Sequence, residues 1–364
     1  MAAEGKKRAV LVGCNYPYYP QFRLHGCIND VLEMEKVLVD SFGFDSDNVK
    51  VLTDAPGSPS KKLPTFANIM AALTEMVEEA EAGDVLFFHF SGHGTTISNL
   101  EPGQPYRENE AIVPCDLNII ADTDLRNLIQ KLKSGTSFTI LSDSCHSGGL
   151  IDKDKEQIGP STLRGMPHPN YCKARGLSIG SIFQTLQSVA ATISSGASHI
   201  GEIAATGANI LQGIGSVLTG IHGARGVSIE FQPQHERGVK SLTENEGILL
   251  SGCEAKETSA DGVIGGKAHG AFTYAVLQAL KHCKGFKLSN KELVTIVRRV
   301  LQEHGFKQHP CLYCSDENVD APFLATKNPN EEKTIWCPPP YYPGLFPPPI
   351  FPGLPTHYPW SILS

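Results

Sequence analysis

The sequence lacks the features that would direct a chain out of the cell, into a membrane or onto nucleic acid. The basic residues Lys6, Lys7 and Arg8 precede an apolar run that stops at Gly13, which is too short for the core of a signal peptide. A net charge of −7 leaves no basic excess for nucleic acid or an anionic membrane. We therefore expect a cytoplasmic monomer with no nucleic-acid or membrane partner and no organic cofactor.

A long internal segment nearly lacks charge. Residues 176–224 contain one formal charge, Glu202, but polar residues interrupt every stretch of the ~20 apolar residues that a membrane span needs. Apolar residues recur in this segment at helical spacing, which predicts helices that pack over the rest of the protein. The two apolar stripes are Ile182, Leu186, Val189 and Ile193, and then Ile210, Ile214, Val217 and Ile221.

The C-terminal residues 337–364 contain no Asp, Glu, Lys or Arg, and they hold ten of the 25 prolines. This composition predicts an extended polyproline-type or disordered tail. The tail is either a spacer or a docking segment for a partner that the sequence does not identify.

The ten cysteines are not spaced as in a disulfide-rich or zinc-binding protein. They are scattered along the chain, and several lie in predicted buried strands. Cys311 and Cys314 form a single CxxC with no second pair at zinc spacing. In a protein that is not secreted, we interpret most of the cysteines as reduced thiols that pack in the core.

Short apolar runs and helix-period segments alternate over the first 150 residues, and the pattern resumes at residue 247. Such alternation predicts an α/β fold with a mostly parallel sheet and helices on both faces. Thr65 and the pair Ser289 and Glu292 are typical of helix N-termini. The predicted strands are 9–13, 49–52, 85–90, 138–141 and 247–251.

Two runs whose key residues lie 52 positions apart carry the chemistry: FFHFSGHG at 87–94 and FTILSDSCHSGG at 138–149. Each begins as an apolar, β-rich run and breaks into Ser, Gly and Asp where His93 or Cys145 appears. Parallel strands that end side by side would place these two side chains together. An imidazole activates a neighbouring thiol as a nucleophile. The runs therefore predict a cysteine peptidase.

In this interpretation Cys145 is the nucleophile, His93 is the general acid and base, and the backbone N–H groups of Gly94 and Cys145 stabilise the oxyanion. The alternative is that His93 and Cys145 are buried residues at strand ends, but the flanking glycines favour open, tight turns. His89 and His146 are rival bases. His89 falls within a predicted strand and His146 is too near Cys145 in sequence to oppose it, so we interpret both as structural.

Five motifs, arriving in order, resemble those of metacaspases, and the long middle insertion is similar to the type II, plant-type group. The resemblance covers residues 8–158 and 246–325. The nucleophile motif lacks the Gln-Ala-Cys of true caspases. The motifs are HGCIND at 25–30, SGHG at 91–94, DSCHSG at 143–148, GCEAKETSA at 252–260 and QHPCLYCSD at 308–316.

The resemblance implies a caspase-like fold in four regions. Residues 1–158 would form the large catalytic region and residues 246–327 the small one. Residues 159–245 would form a helical linker with self-cleavage sites, and residues 328–364 the proline-rich tail.

Substrate preference follows from two aspartates. Asp143 stands two residues before Cys145, and Asp30 follows a loop that can enter the same cleft. Two carboxylates in one pocket favour a cationic side chain, ideally Arg. In metacaspases the matching aspartates, with the positions of Cys27 and Ser91, line the pocket for Arg or Lys. The alternative is that both aspartates cap helices.

The charge-poor segment is flanked by basic residues, and a peptidase that prefers Arg or Lys can cut them. We predict self-processing, with Arg175 as the leading site and Lys173 and Arg225 next. Type II metacaspases are processed in the corresponding region.

The resemblance also implies calcium activation through acidic loops, because carboxylate oxygens suit Ca²⁺. The candidate ligands are Asn109, Asp122, Asp124 and Asp152. Asn109 stands where the family has Asp, and Thr123 interrupts the acidic triplet. Fewer charged ligands predict weak binding, and Asp152 has the alternative of lying in a solvated surface run.

Two other functions stay open at this point. One is a non-catalytic scaffold that binds partners through the same fold, which the intact Cys/His pair disfavours. The other is an Asn- or Asp-specific peptidase of similar fold, which Asp30 and Asp143 disfavour.

Overall fold

The computed structural model of the chain has a seven-stranded sheet between two layers of helices. Several predicted features lie outside the residues that the structure describes: His146, Asp152, Arg225, the second apolar stripe and the proline-rich tail. The structure describes residues 5–99, 107–145, 150, 156–159, 173–194, 247–254, 257, 259–283 and 287–325.

The described strands extend four of the five predicted ones by one to three residues, whereas the strand predicted at 247–251 begins one residue later. They are β1 (Lys7–Gly13), β2 (Val49–Thr53), β3 (Val85–Ser91), β4 (His93–Asn99), β5 (Arg107–Val113), β6 (Ile120–Ala121), β7 (Ser137–Asp143), β8 (Glu156–Ile158), β9 (Lys173–Ala174), β10 (Ile248–Ser251), β11 (Ala260–Ile264), β12 (Lys267–Gly270) and β13 (Cys311–Tyr313).

The described helices include the first predicted linker helix. They are α1 (Cys27–Phe42), α2 (Phe66–Glu78), α3 (Asp122–Ile129), α4 (Ile179–Ser194), α5 (Ala271–His282), α6 (Asn290–Glu303) and α7 (Asp316–Val319), with short 3₁₀ turns at Ser46–Asn48 and Ser60–Lys62.

The order of strands in the large sheet is β2-β1-β3-β7-β10-β13-β8. The pairs among β2, β1, β3, β7 and β10 are parallel, whereas β13 runs antiparallel to both of its neighbours. The predicted mostly parallel α/β fold is therefore confirmed. Strands from 1–158 and from 246–327 share this one sheet.

Two hydrophobic cores lie on opposite faces of the sheet. Successive side chains of a strand point to opposite faces. Accordingly, Leu11 and Phe87 lie in the core with α1, α5 and α6, while Val10 and Phe88 lie in the core with α2, α3 and α4. All of β3 is buried, which is typical of a central parallel strand.

The local predictions for helices mostly hold. The Thr65 hydroxyl accepts the Asn68 N–H at 3.2 Å, and Ser289 and Glu292 form the predicted capping box. Leu32, which interrupts the apolar face of α1, is 47% exposed. In α4, Ile182 is buried, so the helix packs on the sheet as predicted.

Two small antiparallel sheets were not predicted. One is β4-β5-β6 and the other is β12-β11-β9. His93 begins β4 directly after the turn that ends β3, and β9 adds a piece of the linker to the edge of β11. Both sheets meet at the ends of β3 and β7, where the candidate site lies.

Two absences hold for the part of the chain that the structure describes. The described cysteines are all free thiols, as expected, and Cys311 and Cys314 are buried. None of the described helices is long and apolar enough to cross a bilayer.

Candidate active site

The structure brings His93 and Cys145 to neighbouring strand ends. Ser91 at the end of β3 faces Asp143 at the end of β7, and Gly92 N–H donates to the Asp143 carbonyl at 3.3 Å. His93 and Cys145 each lie two residues further along, and both are buried. The predicted side-by-side arrangement of the two runs is therefore present.

The orientation of the His93 ring is determined by a main-chain acceptor. Its Nε2 lies 2.7 Å from the Phe22 carbonyl oxygen. A carbonyl can only accept, so Nε2 carries the proton and Nδ1 has the lone pair in the neutral imidazole. The ring also packs against Tyr16 and Phe22, with centroids at 4.8 and 6.4 Å.

The thiol and the backbone around Cys145 are held by two neighbours. Its Sγ accepts the Ser259 N–H at 3.1 Å. A Cβ at Gly94 would lie 1.8 Å from the Cys145 carbonyl oxygen, so only glycine fits beside the thiol loop. Because the two segments approach so closely, the N–H groups of Gly94 and Cys145 can donate to the same acceptor.

His89 is placed as a structural residue, as predicted. It lies within β3, fully buried, with Nε2 3.2 Å from the Thr273 hydroxyl. Burial lowers its pKa to about 4, so the imidazole is neutral near pH 7.

Arg175 fills a closed pocket beside the thiol, and its side chain is fully buried. The Nη1 atom donates to the Ser91 hydroxyl at 2.7 Å and lies 3.4 Å from an Asp143 carboxylate oxygen. The Nη2 atom contacts Asp30 at 3.0 Å and Asp261 at 2.9 Å. Three carboxylates thus surround one guanidinium, which is the geometry that suits Arg.

The main chain of Arg175 lies across the two candidate residues like a bound peptide. Its carbonyl oxygen accepts N–H groups from Gly94 at 3.0 Å and Cys145 at 3.3 Å, and its N–H donates to the Ser259 carbonyl at 2.9 Å. Before it, β9 pairs antiparallel with β11. After it, Leu177 N–H donates to the Gly94 carbonyl at 3.0 Å. The carbonyl of Arg175 therefore points at the predicted oxyanion donors.

The pocket charges shift one another's pKa values. Burial acts to raise the pKa of Asp30, but Arg175 holds it below its usual range. Burial raises the pKa of Asp143, and the negative charge of Asp30 adds to this, although the same guanidinium acts to lower it. Burial acts to lower the pKa of Arg175, but Asp143 and the other pocket groups raise it, so the guanidinium stays charged.

Further donors fix the carboxylates in place. Asp30 accepts from the Gly270 N–H and lies 3.0 Å from Nδ1 of His269. Asp143 accepts from the Ser259 hydroxyl at 2.5 Å and from the N–H and hydroxyl of Thr273, each at 2.8 Å. Groups of the fold other than the guanidinium therefore also orient the carboxylates.

Cys27, predicted to line the pocket, is buried at the start of α1. Burial raises its pKa, while the charge of Arg175 acts to lower it. The structure thus brings all four predicted pocket residues to the guanidinium.

Sequence reasoning missed Asp261, Ser259 and Phe22. Asp261 follows directly after the motif at 252–260, so its position was available as a signal. It also accepts N–H groups from His25 and Gly26, each at 3.0 Å. The role of Phe22 could not be predicted from the sequence, because its hydrogen bond to His93 comes from the main-chain carbonyl, which every residue carries.

The candidate calcium ligands have other partners where the structure describes them. Asp122 pairs with Arg126 at 2.9 Å and Asp124 accepts the Ala121 N–H at 2.9 Å, so both serve the N-terminus of α3. Asn109 lies on β5. Within the described ranges Asp122 and Asp124 thus serve the start of α3, and calcium binding stays a prediction.

Lys173 lies on β9, two residues before Arg175. Its backbone faces Asp261 in the antiparallel pair with β11. It is Arg175, therefore, whose carbonyl reaches the thiol loop.

Comparison with known proteins decides the family. A caspase-domain family model matches residues 6–321, which is most of the chain. The chain is 47% identical over 331 residues to Metacaspase-9 of Arabidopsis thaliana, covering 88% of this chain and 97% of that protein. The chain belongs to the type II metacaspases. As a metacaspase it is a cysteine-type peptidase, and its substrates are proteins.

Other relatives agree with this assignment. Metacaspase-6 of Arabidopsis thaliana is 34% identical, with 87% of this metacaspase and 99% of the relative covered. Metacaspase-1 of Schizosaccharomyces pombe is 32% identical over 86% of this chain and 68% of its own length. A crystal structure of a Geobacter sulfurreducens protein shares the fold, with a TM-score of 0.54, 18% identity and coverage of 89% and 100%.

Proposed function

We propose that this metacaspase is an endopeptidase that cleaves after Arg or Lys and that first cuts its own chain after Arg175. The main support for the proposal is the position of Arg175. The Arg175 side chain fills the acidic pocket while its carbonyl oxygen accepts N–H groups from Gly94 and Cys145. The bond between Arg175 and Gly176 thus lies where a substrate bond is expected.

The proposed preference follows from charge. Asp30, Asp143 and Asp261 all contact the guanidinium, and they would repel a substrate with Asp before the cut. Arg bridges two carboxylates with its planar fork, whereas Lys offers a single ammonium. We therefore expect cleavage after Arg to be faster than after Lys.

In the proposed mechanism the Cys145 thiol gives its proton to the Nδ1 lone pair of His93, and the resulting thiolate attacks the Arg175 carbonyl carbon. The resulting oxyanion takes up the two N–H bonds that the carbonyl already accepts. His93 donates a proton to the Gly176 nitrogen as it leaves, and then removes a proton from the water that hydrolyses the thioester.

The uncut chain is a zymogen in this proposal, because its own Arg175 excludes other substrates from the pocket. Since the segment already lies in the site of its own molecule, the first cut is intramolecular. Its rate constant should not change with protein concentration.

The test is to incubate the purified chain and to map the fragments by mass spectrometry. Wild type should give a new N-terminus at Gly176, and Cys145→Ala should give none. Arg175→Lys should retain slow cleavage at that bond, and Arg175→Ala should abolish it. Cleavage that persists in Cys145→Ala would refute the mechanism. An unchanged fragment pattern in Arg175→Ala would show that Arg175 is not the cleavage site, and Lys173 and Arg225 would then be the remaining candidates.

Calcium activation is a separate part of the proposal. Asp122 and Asp124 cap α3, so no step is attributed to the ion. The incubation is therefore run with added Ca²⁺ and with a chelator. Equal cleavage in both would remove calcium from the proposal and leave the peptidase assignment intact.

A further inference from the structure

The Tyr16 hydroxyl is inserted between β4 and β5 at His93. His93 and Val113 face each other in this antiparallel pair. The His93 N–H donates to the Tyr16 hydroxyl oxygen at 2.8 Å, and the hydroxyl donates to the Val113 carbonyl at 2.5 Å. One hydroxyl thus bridges the two strands at the residue that carries the imidazole.

The same loop also contacts the His93 side chain. Tyr16 and Phe22 both lie in the connection between β1 and α1. The Phe22 carbonyl accepts from Nε2, and the Tyr16 ring lies 4.8 Å from the imidazole, centroid to centroid, at 38°. This loop therefore holds the histidine by its main chain, its ring nitrogen and its ring face.

Tyr16 is itself fixed by Asp54. Its φ of 53° is in the left-handed region, which residues other than glycine seldom adopt. The buried Asp54 carboxylate accepts the N–H of Asn15 at 2.8 Å and of Tyr16 at 2.7 Å. Burial raises the pKa of Tyr16, so its hydroxyl keeps the proton that it donates.

The neighbouring turn is shaped for this hydroxyl. A Cβ at Gly92 would lie 2.9 Å from the Tyr16 hydroxyl oxygen and 2.7 Å from the Phe90 ring. Only glycine therefore allows the hydroxyl to reach the His93 N–H.

We propose that Tyr16 is a positioning residue for His93 and that Asp54 fixes Tyr16 in turn. The inference rests on the proposed acid and base role of His93. The hydroxyl fixes the main chain from which the imidazole projects, and the aromatic ring restricts its plane. His93 therefore keeps one orientation beside Cys145 through the reaction. A tyrosine that only packs in the core would affect stability and nothing else.

The test compares Tyr16→Phe with Tyr19→Phe in the processed enzyme. Tyr19 is a buried tyrosine of the same loop whose hydroxyl makes no hydrogen bond within the described residues, so it is a matched control. For Tyr16→Phe we expect kcat on an Arg peptide to fall about tenfold to hundredfold, because small displacements of a catalytic group have effects of this size. KM should change little, and Tyr19→Phe should match wild type.

A second measurement needs no substrate. The rate of Cys145 alkylation by iodoacetamide is followed against pH, because it reports how well the imidazole stabilises the thiolate. Tyr16→Phe should shift this profile to higher pH. If kcat and the profile both stay at wild-type values, the inference is overturned, even where the melting temperature falls.

Two other results of these experiments, a variant that does not fold and a wild type that cuts no Arg peptide, have separate consequences. If Tyr16→Phe does not fold, the variant Asp54→Asn is used instead. An Asn side chain has only one oxygen to accept the N–H groups of Asn15 and Tyr16, so this variant should loosen Tyr16. An alkylation profile that stays unchanged in Asp54→Asn also overturns the inference. If wild type cuts no Arg peptide but the profile shifts, the proposed specificity fails while the role of Tyr16 stands.

Discussion

Buried aspartates lie in two regions of this metacaspase and are compensated in different ways. In the acidic pocket, Asp30 contacts the guanidinium of Arg175, which holds its pKa below the usual range even though burial acts to raise it. Behind the histidine, Asp54 accepts the N–H groups of Asn15 and Tyr16, and burial raises its pKa to about 6. For Asp30 a full opposite charge at 3.0 Å outweighs the cost of burial, whereas the two N–H groups at Asp54 do not.

The two regions also differ in what remains after cleavage. The cation in the pocket belongs to the segment that is cut, so the proposed reaction releases it. The N–H groups at Asp54 belong to the fold and stay. The pocket is thus left with carboxylates that favour the next cation, while the support of His93 is unchanged.

The largest expected effect comes from removing the pocket cation. In a Cys145→Ala background, Arg175→Met should lower the free energy of unfolding by about 3 kcal/mol or more at pH 7, because it leaves buried carboxylates unpaired. In the parent the pKa of Asp30 is lowered, so its contribution is present above about pH 4 and is lost as pH falls through the folded pKa. The difference between the two proteins, measured by denaturant unfolding, should therefore shrink at low pH; a constant difference would contradict the comparison.

Asp54 should behave in the opposite sense. Because its folded pKa of about 6 lies above its unfolded value, its contribution is present below about pH 4 and is lost as pH rises through 6. Relative to Asp54→Asn, also in the Cys145→Ala background, the unfolding free energy should fall by about 3 kcal/mol between pH 4 and pH 7. Denaturant unfolding at both pH values measures this. A difference that does not change with pH would refute it.

The next effect concerns Asp261, one of the three residues that sequence reasoning missed. In the processed enzyme, Asp261→Asn should lower kcat/KM for an Arg peptide by about tenfold to hundredfold, since a hydrogen bond to a charged group contributes about 1.5–3 kcal/mol. Asp47→Asn, an exposed change of the same charge, is the control. Equal rates for the two variants would show that two aspartates are enough.

The smallest expected effect lies on the far side of the cut. Leu177 N–H donates to the Gly94 carbonyl, so a peptide with an N-methyl group at the matching position should be cut about fivefold more slowly, as expected for one neutral hydrogen bond of about 1 kcal/mol. The control carries the N-methyl group one residue later, at the position of Ser178. The measurement is the rate of cleavage of the two peptides. Equal rates would mean that the hydrogen bond from the Leu177 position does not contribute to substrate binding or cleavage.

Much of the fold could be predicted from the sequence, because strands and helices depend on local patterns of apolar and capping residues. Apolar runs gave the central strands, and Thr65 and Ser289 marked the starts of α2 and α6. The two small sheets were missed, because β4 and β9 are defined by their partners rather than by alternation. The calcium prediction came from the family resemblance and stays a prediction; Asp122 and Asp124 lie in the first turn of α3, where carboxylates also stabilise a helix.

The sequence by itself determined the alternating strands and helices, the positions of His93 and Cys145 just after two strand ends, and the basic residues beside the charge-poor segment. Only the tertiary structure decided that Arg175 lies in the pocket with Asp30, 145 positions away, and that Tyr16 bridges His93 to its partner strand. Periodicity reports which face of an element is apolar. Which buried charges and hydroxyls meet depends on long-range packing, because desolvation allows only the arrangement in which each finds a partner.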